Sequence, residues 1–126
     1  NHLGAMTAVP TVLGPGAPVL DLSSPSVNTY GTDARRERNG TMTLHCGNTL
    51  PDGRLSYLGT NNDRDHMWLT MGIDDPTQMV PGYHPADVNL DGTAIYLGNN
   101  NDRDLLLEAV TGGEPDHTVF RNEQLP

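Results

Sequence analysis

The sequence predicts a mixed β fold with short helices, in which an N-terminal β segment precedes two tandem loop–helix repeats. Three features indicate this fold: a long repeated stretch in the second half, β-favouring runs in the first half, and a lean composition. Only 35% of the 126 residues are hydrophobic, whereas 14 are glycine and 10 are proline. Because such a chain buries little apolar surface, we expect a small core and an additional stabilising element, either a bound metal ion or a partner chain.

An internal repeat defines the second half of the chain. Residues 57–65 recur as residues 96–104, and this offset of 39 residues holds without a gap through most of both copies. We interpret residues 44–82 as the first copy, and residues 83–126 as the second copy with a C-terminal tail. Each copy is too short to stand alone, so the two copies are expected to pack against each other.

The first 43 residues favour β structure. Residues 8–13 and 19–22 are predicted strands, separated by the turn signal Gly14-Pro15-Gly16. Apolar and polar residues alternate over 41–46, as expected for a half-buried strand. The polar stretch 23–39 is predicted to be a long loop; the charged run 35–38 at its end is interpreted as solvated, with the alternative of an electrostatic docking site for an acidic neighbour. We interpret residues 1–43 as a β segment, with the alternative that it belongs to a larger or neighbouring β-sandwich.

One short helix is predicted in each copy. The helix-favouring runs are residues 66–71 and 105–110. In the second copy, Asp102 or Asp104 is placed to cap the helix N-terminus. Glycine ends both helices, at Gly72 in the first copy and at Gly112 and Gly113 in the second.

The string Asp87-Val88-Asn89-Leu90-Asp91-Gly92 predicts a calcium loop. Calcium takes six to eight oxygen ligands, and alternate residues of a tight loop can all direct oxygens inward. Asp87, Asn89 and Asp91 supply the side-chain oxygens, and the backbone carbonyl of Thr93 is the next ligand. Gly92 permits the sharp bend.

The acid that closes this loop must come from further along the chain. A standard calcium loop ends with a bidentate acid at its twelfth position, which here is Gly98. The remaining candidates are Asp102 and Asp104, of which Asp104 is preferred because it lies against the predicted helix. Asp102 is then a second ligand or a helix cap.

The first copy contains a degenerate version of the same loop. Asn48, Leu50 and Asp52 replace the three ligands, and Leu50 has no side-chain oxygen. Asp63 and Asp65 remain as the acids before the helix, so a weaker second site or none is expected.

Two simpler interpretations of these motifs stay open. Asp-Gly is also a common hairpin turn, and the repeated Asn-Asp-Arg-Asp is also a helix cap with an internal salt bridge.

Charge and cysteine content exclude several classes of function. The formal net charge is −9, and the chain has no lysine. This balance argues against nucleic acid or an anionic membrane as a partner. No apolar run approaches the roughly 18 residues of a membrane span. A disulfide within the chain is excluded because Cys46 is the only cysteine. The sequence contains no recognisable catalytic constellation, which predicts a non-enzymatic protein.

Residues 87–107 resemble dockerin-type calcium modules, which pair two loop–helix repeats. More closely, the two Asp-Gly…Asn-Asp-Arg-Asp units, followed by Glu123-Gln124-Leu125-Pro126, are similar to the C-terminal region of large secreted bacterial surface proteins. The resemblance implies calcium binding and location at a bacterial cell surface. It also implies that Pro126 is a natural C-terminus and that Asn1 lies inside a longer precursor.

Three functions are compatible with these features. The leading hypothesis is a non-catalytic, extracellular, calcium-stabilised module with a structural or adhesive role. The second is a self-assembling subunit of a filament or surface layer, in which the apolar segment 3–13 completes a neighbouring sheet. The third is a dockerin-like docking module that uses Trp68 and residues 105–107 as its contact surface.

Overall fold

Short strands and two helices make up the described part of the chain, residues 1–112 and 119–126 of the computed structural model. The elements in chain order are β1 (Arg36–Arg38), β2 (Thr41–Thr43), β3 (Arg54–Ser56), α1 (Asp63–Met71), β4 (Met79–Pro81), β5 (Thr93–Ile95), α2 (Asp102–Thr111) and β6 (Phe120–Asn122). The predicted mixture of small β elements and short helices is therefore confirmed. Neither helix is long and apolar enough to cross a bilayer.

The strands form small antiparallel pairs that link the two copies reciprocally. β5, in the second copy, pairs with β4 at the end of the first copy, with Val80 opposite Ala94. β3, in the first copy, pairs with β6 near the end of the second, with Leu55 opposite Arg121. Each copy thus receives its second strand from the other copy, which explains why neither is expected to fold alone.

Both helices begin at an asparagine. The side chains of Asn62 and Asn101 accept the backbone N–H of Asp65 and Asp104, each at 2.9 Å. The prediction of Asp102 or Asp104 as the cap is therefore wrong. An asparagine precedes each acidic pair, and its amide oxygen satisfies one of the free N–H groups of the first turn.

Glycine ends both helices, as predicted. Gly72 and Gly112 take left-handed conformations, with φ of +62° and +75°. The N–H of Gly112 donates to the carbonyl of Glu108 at 3.1 Å, which satisfies one of the last free carbonyls of α2. Gly113, the second predicted stop residue, lies outside the described residues.

The core lies between the two helices and the paired strands. Met67 of α1 and Leu106 of α2 occupy equivalent positions in the two copies, and both are fully buried. Leu55 and Ala94, at the centres of β3 and β5, are equally inaccessible. Leu3 joins the same cluster from the N-terminal segment, so this segment contributes one side chain to the core of the repeats.

The predicted strands at 8–13 and 19–22 are absent from the structure. Both runs are irregular and exposed: Val12 is 79% and Val19 95% accessible. The turn between them does form, since the N–H of Ala17 donates to the carbonyl of Gly14 at 3.1 Å. The β-branched residues predicted strands, but the valine side chains of these runs are largely exposed, and β propensity depends on packing against neighbours.

A hairpin lies where the end of a long loop was predicted. β1 and β2 pair with Arg36 opposite Thr43, and their turn is Asn39-Gly40 with φ of +51° and +81°. Positive φ at both turn residues is the geometry that Asn-Gly favours in two-residue hairpins. The loop prediction over 23–39 is therefore wrong at its C-terminal end.

The charged run 35–38 is not a solvated loop. Arg35 is buried and donates to the backbone carbonyls of Leu22, Ser24 and Val27. Its guanidinium therefore holds the irregular N-terminal segment in place. Arg36 and Arg38 both donate to the carboxylate of Glu108 in α2.

Candidate functional site

The predicted calcium loop closes on the carboxylate of Asp87. Its Oδ1 accepts the N–H of Asp91 at 3.1 Å, and its Oδ2 accepts the N–H of Gly92 at 3.0 Å. Asp87 is buried, and Gly92 bends the chain with φ of +88°. The first acid of the loop therefore holds the backbone of the fifth and sixth positions in a tight turn.

Asn89 and Asp91 extend this network on the exposed side of the loop. The side-chain oxygen of Asn89 also accepts the N–H of Asp91, at 2.8 Å, and Asp91 Oδ1 accepts the N–H of Thr93 at 3.0 Å. Asp91 Oδ2 accepts from two amides, Asn89 Nδ2 at 3.0 Å and Asn100 Nδ2 at 2.7 Å. The structure thus brings together Asp87, Asn89, Asp91 and Thr93, and adds Asn100.

Asn100 was not identified from the sequence. It belongs to the Asn-rich stretch before α2 and takes φ of +56°, a left-handed conformation that asparagine tolerates better than most residues. This backbone turn brings its side chain within hydrogen-bond distance of Asp91. The repeated Asn at this place in both copies was the available signal, but its spacing from the loop fits no standard calcium motif.

Asp102 joins the loop to α2. It is fully buried; its Oδ1 accepts the N–H groups of Val88 and Asn89 at 2.7 and 3.1 Å, and its Oδ2 accepts that of Ile95 at 2.8 Å. Burial raises the pKa of this carboxyl above its usual value, although the three backbone donors act in the opposite direction. We call Asp102, together with its equivalent in the first copy, the buried clamp aspartates.

Asp104 lies apart from the loop. Its carboxylate accepts from Asn101 Nδ2 at 2.9 Å and from Arg103 at 3.0 Å, and it is exposed. The hydrogen bond from Asn101, together with the arginine, lowers the pKa of Asp104. Asp102 is therefore the acid that contacts the loop backbone, whereas the sequence favoured Asp104.

The first copy keeps the clamp and loses the loop network. Asp63 is buried like Asp102, and it accepts the N–H groups of Leu50 at 3.1 Å and Ser56 at 2.8 Å. Among the described residues, Asp52 accepts only the N–H of Arg54, and the side-chain oxygen of Asn48 has no hydrogen-bond partner.

Asp65 repeats the arrangement of Asp104. Its carboxylate accepts from Asn62 at 2.8 Å and from Arg64 at 2.8 Å. Within the described residues, the four positions named for a second site, Asn48, Asp52, Asp63 and Asp65, are thus not joined in one polar network.

The oxygens available to a cation in the second copy belong to carboxylate, amide and backbone carbonyl groups. Within residues 1–112 and 119–126, no group of three or more His, Cys, Asp or Glu side chains is arranged to hold a metal ion. A cation at the loop would thus depend on the carboxylates of Asp87 and Asp91, completed by amide and carbonyl oxygens. Calcium accepts such ligands, because it binds carboxylate, amide and backbone oxygens alike.

The buried clamp of the first copy predicts a pH dependence. Burial raises the pKa of Asp63 to about 6, well above the usual range of an aspartate. Because the folded-state pKa is the higher one, its contribution to stability is complete below about pH 4 and is lost as the pH rises through about 6. We therefore expect the free energy of unfolding of the wild type, minus that of Asp63→Asn, to fall by about 3 kcal/mol over this interval. Urea denaturation of both proteins at a series of pH values measures this difference, and a constant difference would contradict the assignment.

The surface predicted for docking, Trp68 and residues 105–107, is partly buried by packing within the chain. Leu106 is fully buried, and Trp68 packs edge-to-face against Tyr96 with ring centroids 4.9 Å apart. Leu69, beside Trp68, is 74% accessible.

Comparison with known proteins gives no relative: no family model, curated protein or solved structure matches the chain.

Proposed function

We propose that this chain is a non-catalytic, calcium-stabilised structural module in which residues 87–93 hold the ion. The supporting observation is the second-copy loop, where Asp87, Asn89 and Asp91 occupy the first, third and fifth positions around a glycine-assisted turn. The acidic net charge and the small core agree with a cation acting as a stabilising element. An extracellular role at a bacterial surface, structural or adhesive, belongs to the same proposal and follows from the resemblance of the repeats.

The contacts of Asp91 indicate where the ion would bind. Two amide groups, from Asn89 and Asn100, donate to one oxygen of this exposed carboxylate. The N–H groups of these two amides therefore place partial positive charge next to Asp91 Oδ2. Rotating the Asn100 amide by half a turn exchanges its nitrogen for its oxygen, which converts a donor into a calcium ligand, while Asn89 keeps its oxygen on the N–H of Asp91. Such a rotation leaves the backbone hydrogen bonds of the loop in place, which supports the proposal.

Added calcium should raise the melting temperature. If free calcium is about 100 times the dissociation constant, binding contributes about 2.7 kcal/mol, equivalent to a shift of about 10 °C for a domain of this size. Differential scanning calorimetry with millimolar calcium and with a chelator measures the shift. Magnesium should give a smaller one, because it requires near-ideal octahedral geometry and dehydrates reluctantly.

The two copies supply a matched pair of variants. Asp91→Asn removes a carboxylate from the intact loop, whereas Asp52→Asn changes the equivalent position of the degenerate loop. The calcium-dependent shift should be lost in the first and retained in the second. Equal melting temperatures in calcium and chelator for the wild type would refute calcium stabilisation.

Self-assembly is a second candidate, and the exposed apolar segment 9–22 favours it. Val12, Val19 and their neighbours Leu13 and Leu20 are exposed on an irregular loop outside the core. Such a patch is a typical protein contact. Leu3, by contrast, is buried, so the contact would involve the later part of the segment. Sedimentation velocity should detect oligomers that disappear in Leu13→Asp; a concentration-independent monomer would exclude this function.

A further inference from the structure

His45 is a buried histidine at the place where residues 1–35 attach to the two copies. It is 1% accessible, and its backbone carbonyl accepts the N–H of Leu3 at 2.9 Å. Its ring nitrogen Nε2 lies 2.9 Å from the backbone carbonyl oxygen of Asp33. One residue thus contacts both ends of residues 1–35, which we call the N-terminal arm.

These contacts fix the protonation state of the His45 ring. A carbonyl oxygen can only accept, so Nε2 carries the proton of the neutral imidazole and donates to Asp33. Nδ1 is then an acceptor, and within the described residues it is one of four buried side-chain nitrogen or oxygen atoms that lack a hydrogen-bond partner. A second proton on Nδ1 would make it a buried donor of a charged ring without an acceptor, which costs more than a neutral unpaired atom.

The charged groups that face the ring also oppose a second proton. Burial lowers the pKa of His45, and the positive charges of Arg121 in β6 and Arg36 in β1 add to this effect. Asp33 acts in the opposite direction, with a carboxylate oxygen 3.6 Å from Nε2. That carboxylate already accepts from the guanidinium of Arg121, so a protonated His45 would share it with a second cation. The folded arrangement therefore favours the neutral ring.

Two attachments of the N-terminal arm lie next to His45. Near the start of the arm, Leu3 is buried in the core that the two copies share. Near its end, the N–H of Asp33 donates to Gln124 Oε1 at 2.9 Å. Between these points the arm is largely irregular, and Val19 is 95% accessible. A change in the charge of His45 thus acts on both ends of an arm whose middle is exposed.

The internal repeat provides a comparison for His45. Its equivalent in the second copy is His84. His84 is half-buried and lines a surface cavity of about 610 Å³, and its Nδ1 accepts the N–H of Ala86 at 3.1 Å. The second histidine is therefore in contact with solvent, whereas the first is sealed. The sealed position of His45 is thus not a consequence of the repeated fold.

We propose that protonation of His45 at mildly acidic pH releases the N-terminal arm from the two copies. A protonated ring needs an acceptor or water at Nδ1, and it reaches water when the arm moves away. Because burial holds the folded-state pKa of His45 below its usual value of about 6.5, its contribution to the attachment is complete above about pH 6.5 and is lost as the pH falls through the folded-state value. Release withdraws Leu3 from the core and frees the apolar run 9–22. This inference depends neither on calcium binding nor on self-assembly.

Amide hydrogen exchange between about pH 7 and about pH 5 tests the proposal, since histidine changes charge in this interval. Rates are expressed as protection factors, which removes the intrinsic effect of pH on exchange. The reporters are the amides of Leu3 and Asp33, and the amides of α2 are the reference for opening of the whole fold. While His45 binds a proton in the released form alone, each unit of falling pH should lower the protection of the reporters about tenfold. The protection of α2 should not fall in parallel.

His45→Gln and His84→Gln form a matched pair, because the two positions are equivalent in the repeat. Glutamine keeps an N–H donor for the carbonyl of Asp33 but does not take up a proton in this pH range. The loss of protection on acidification should therefore disappear in His45→Gln and persist in His84→Gln. His2, the histidine of the arm itself, is retained in both variants, so its titration does not contribute to the difference between them.

The imidazole signals of the wild type give a second measurement that requires no variant. The ring of His45 should stay neutral until the amides of Leu3 and Asp33 lose protection. The proposal is overturned if the protection of these amides is constant over the pH interval, or if His45 titrates while both stay protected. A loss of protection that persists in His45→Gln, or that disappears in His84→Gln, would overturn it equally.

Discussion

Asp102→Asn is expected to lower the free energy of unfolding by about 3 kcal/mol, enough to unfold much of a marginally stable domain. The carboxylate of Asp102 accepts three backbone N–H groups while fully buried. Asparagine keeps one acceptor oxygen, and its NH₂ group must face a backbone donor. At least one buried N–H then loses its partner, and the start of α2 loses its connection to the loop or to β5. Urea denaturation in the presence of a chelator measures this effect without a contribution from calcium.

Asp63→Asn should also lower the free energy of unfolding, by more near pH 4 than near pH 7, because Asp63 holds the equivalent backbone groups of the first copy and its contribution falls as the pH rises through about 6. The controls lie two residues further along each helix. Asp65→Asn and Asp104→Asn make the same chemical change at exposed carboxylates paired with neighbouring arginines. Exposed ion pairs contribute about 1 kcal/mol or less. If the clamp and control variants were equally stable, the structural role assigned to the buried carboxylates would be wrong.

Leu106→Ala should destabilise the fold by about 2–5 kcal/mol, the usual range for a fully buried leucine. Leu106 is inaccessible to solvent and packs closely on the first copy: a methyl group placed on Gly47 would lie 2.4 Å from its Cδ1. The loss should therefore affect the contact between the copies as well as α2 itself. Chemical denaturation followed by circular dichroism measures the change.

Met67→Ala, at the equivalent position of α1, should fall in the same range. Leu69→Ala is the control, because Leu69 is on the same helix and largely exposed. We expect its free energy of unfolding to stay within about 0.5 kcal/mol of the wild type. Independent unfolding of the two copies in Leu106→Ala would contradict a shared core.

The repeat was the part of the fold that could be predicted best. Its offset located both helices, and glycine correctly marked both helix ends at Gly72 and Gly112. These features depend on local chemistry, since only a residue that tolerates positive φ ends a helix in this way. The exchange of strands between copies could not be predicted, because it depends on contacts between residues far apart in the sequence.

Predictions that required knowledge of the surroundings were less successful. Residues 8–13 have strand-forming side chains, yet in the described part of the chain the pairing beside them stops at the isolated bridge between Thr7 and Thr29. Arg35 was assigned to solvent from its charge, but three backbone carbonyls meet its guanidinium in a buried position. In both cases the deciding factor is what lies opposite the residue, which the local sequence does not contain.

For the candidate site, the sequence located the loop but not all of its partners. Asp87, Asn89 and Asp91 form one hydrogen-bonded network, in accordance with their spacing. The choice between Asp102 and Asp104 depended on which carboxylate points inward. Their position on the helix decides this: Asp102 points to the core, whereas Asp104 reaches back to the cap at Asn101.

Isothermal titration calorimetry with calcium tests the central claim most directly. The wild type should bind one ion per chain, and Asp91→Asn should abolish binding, because Asp91 is the loop carboxylate on which the amides of Asn89 and Asn100 converge. Asp104→Asn should bind as the wild type does, since its carboxylate pairs with Arg103 instead. Absence of binding heat in the wild type, or undiminished binding in Asp91→Asn, would contradict a calcium ion in this loop.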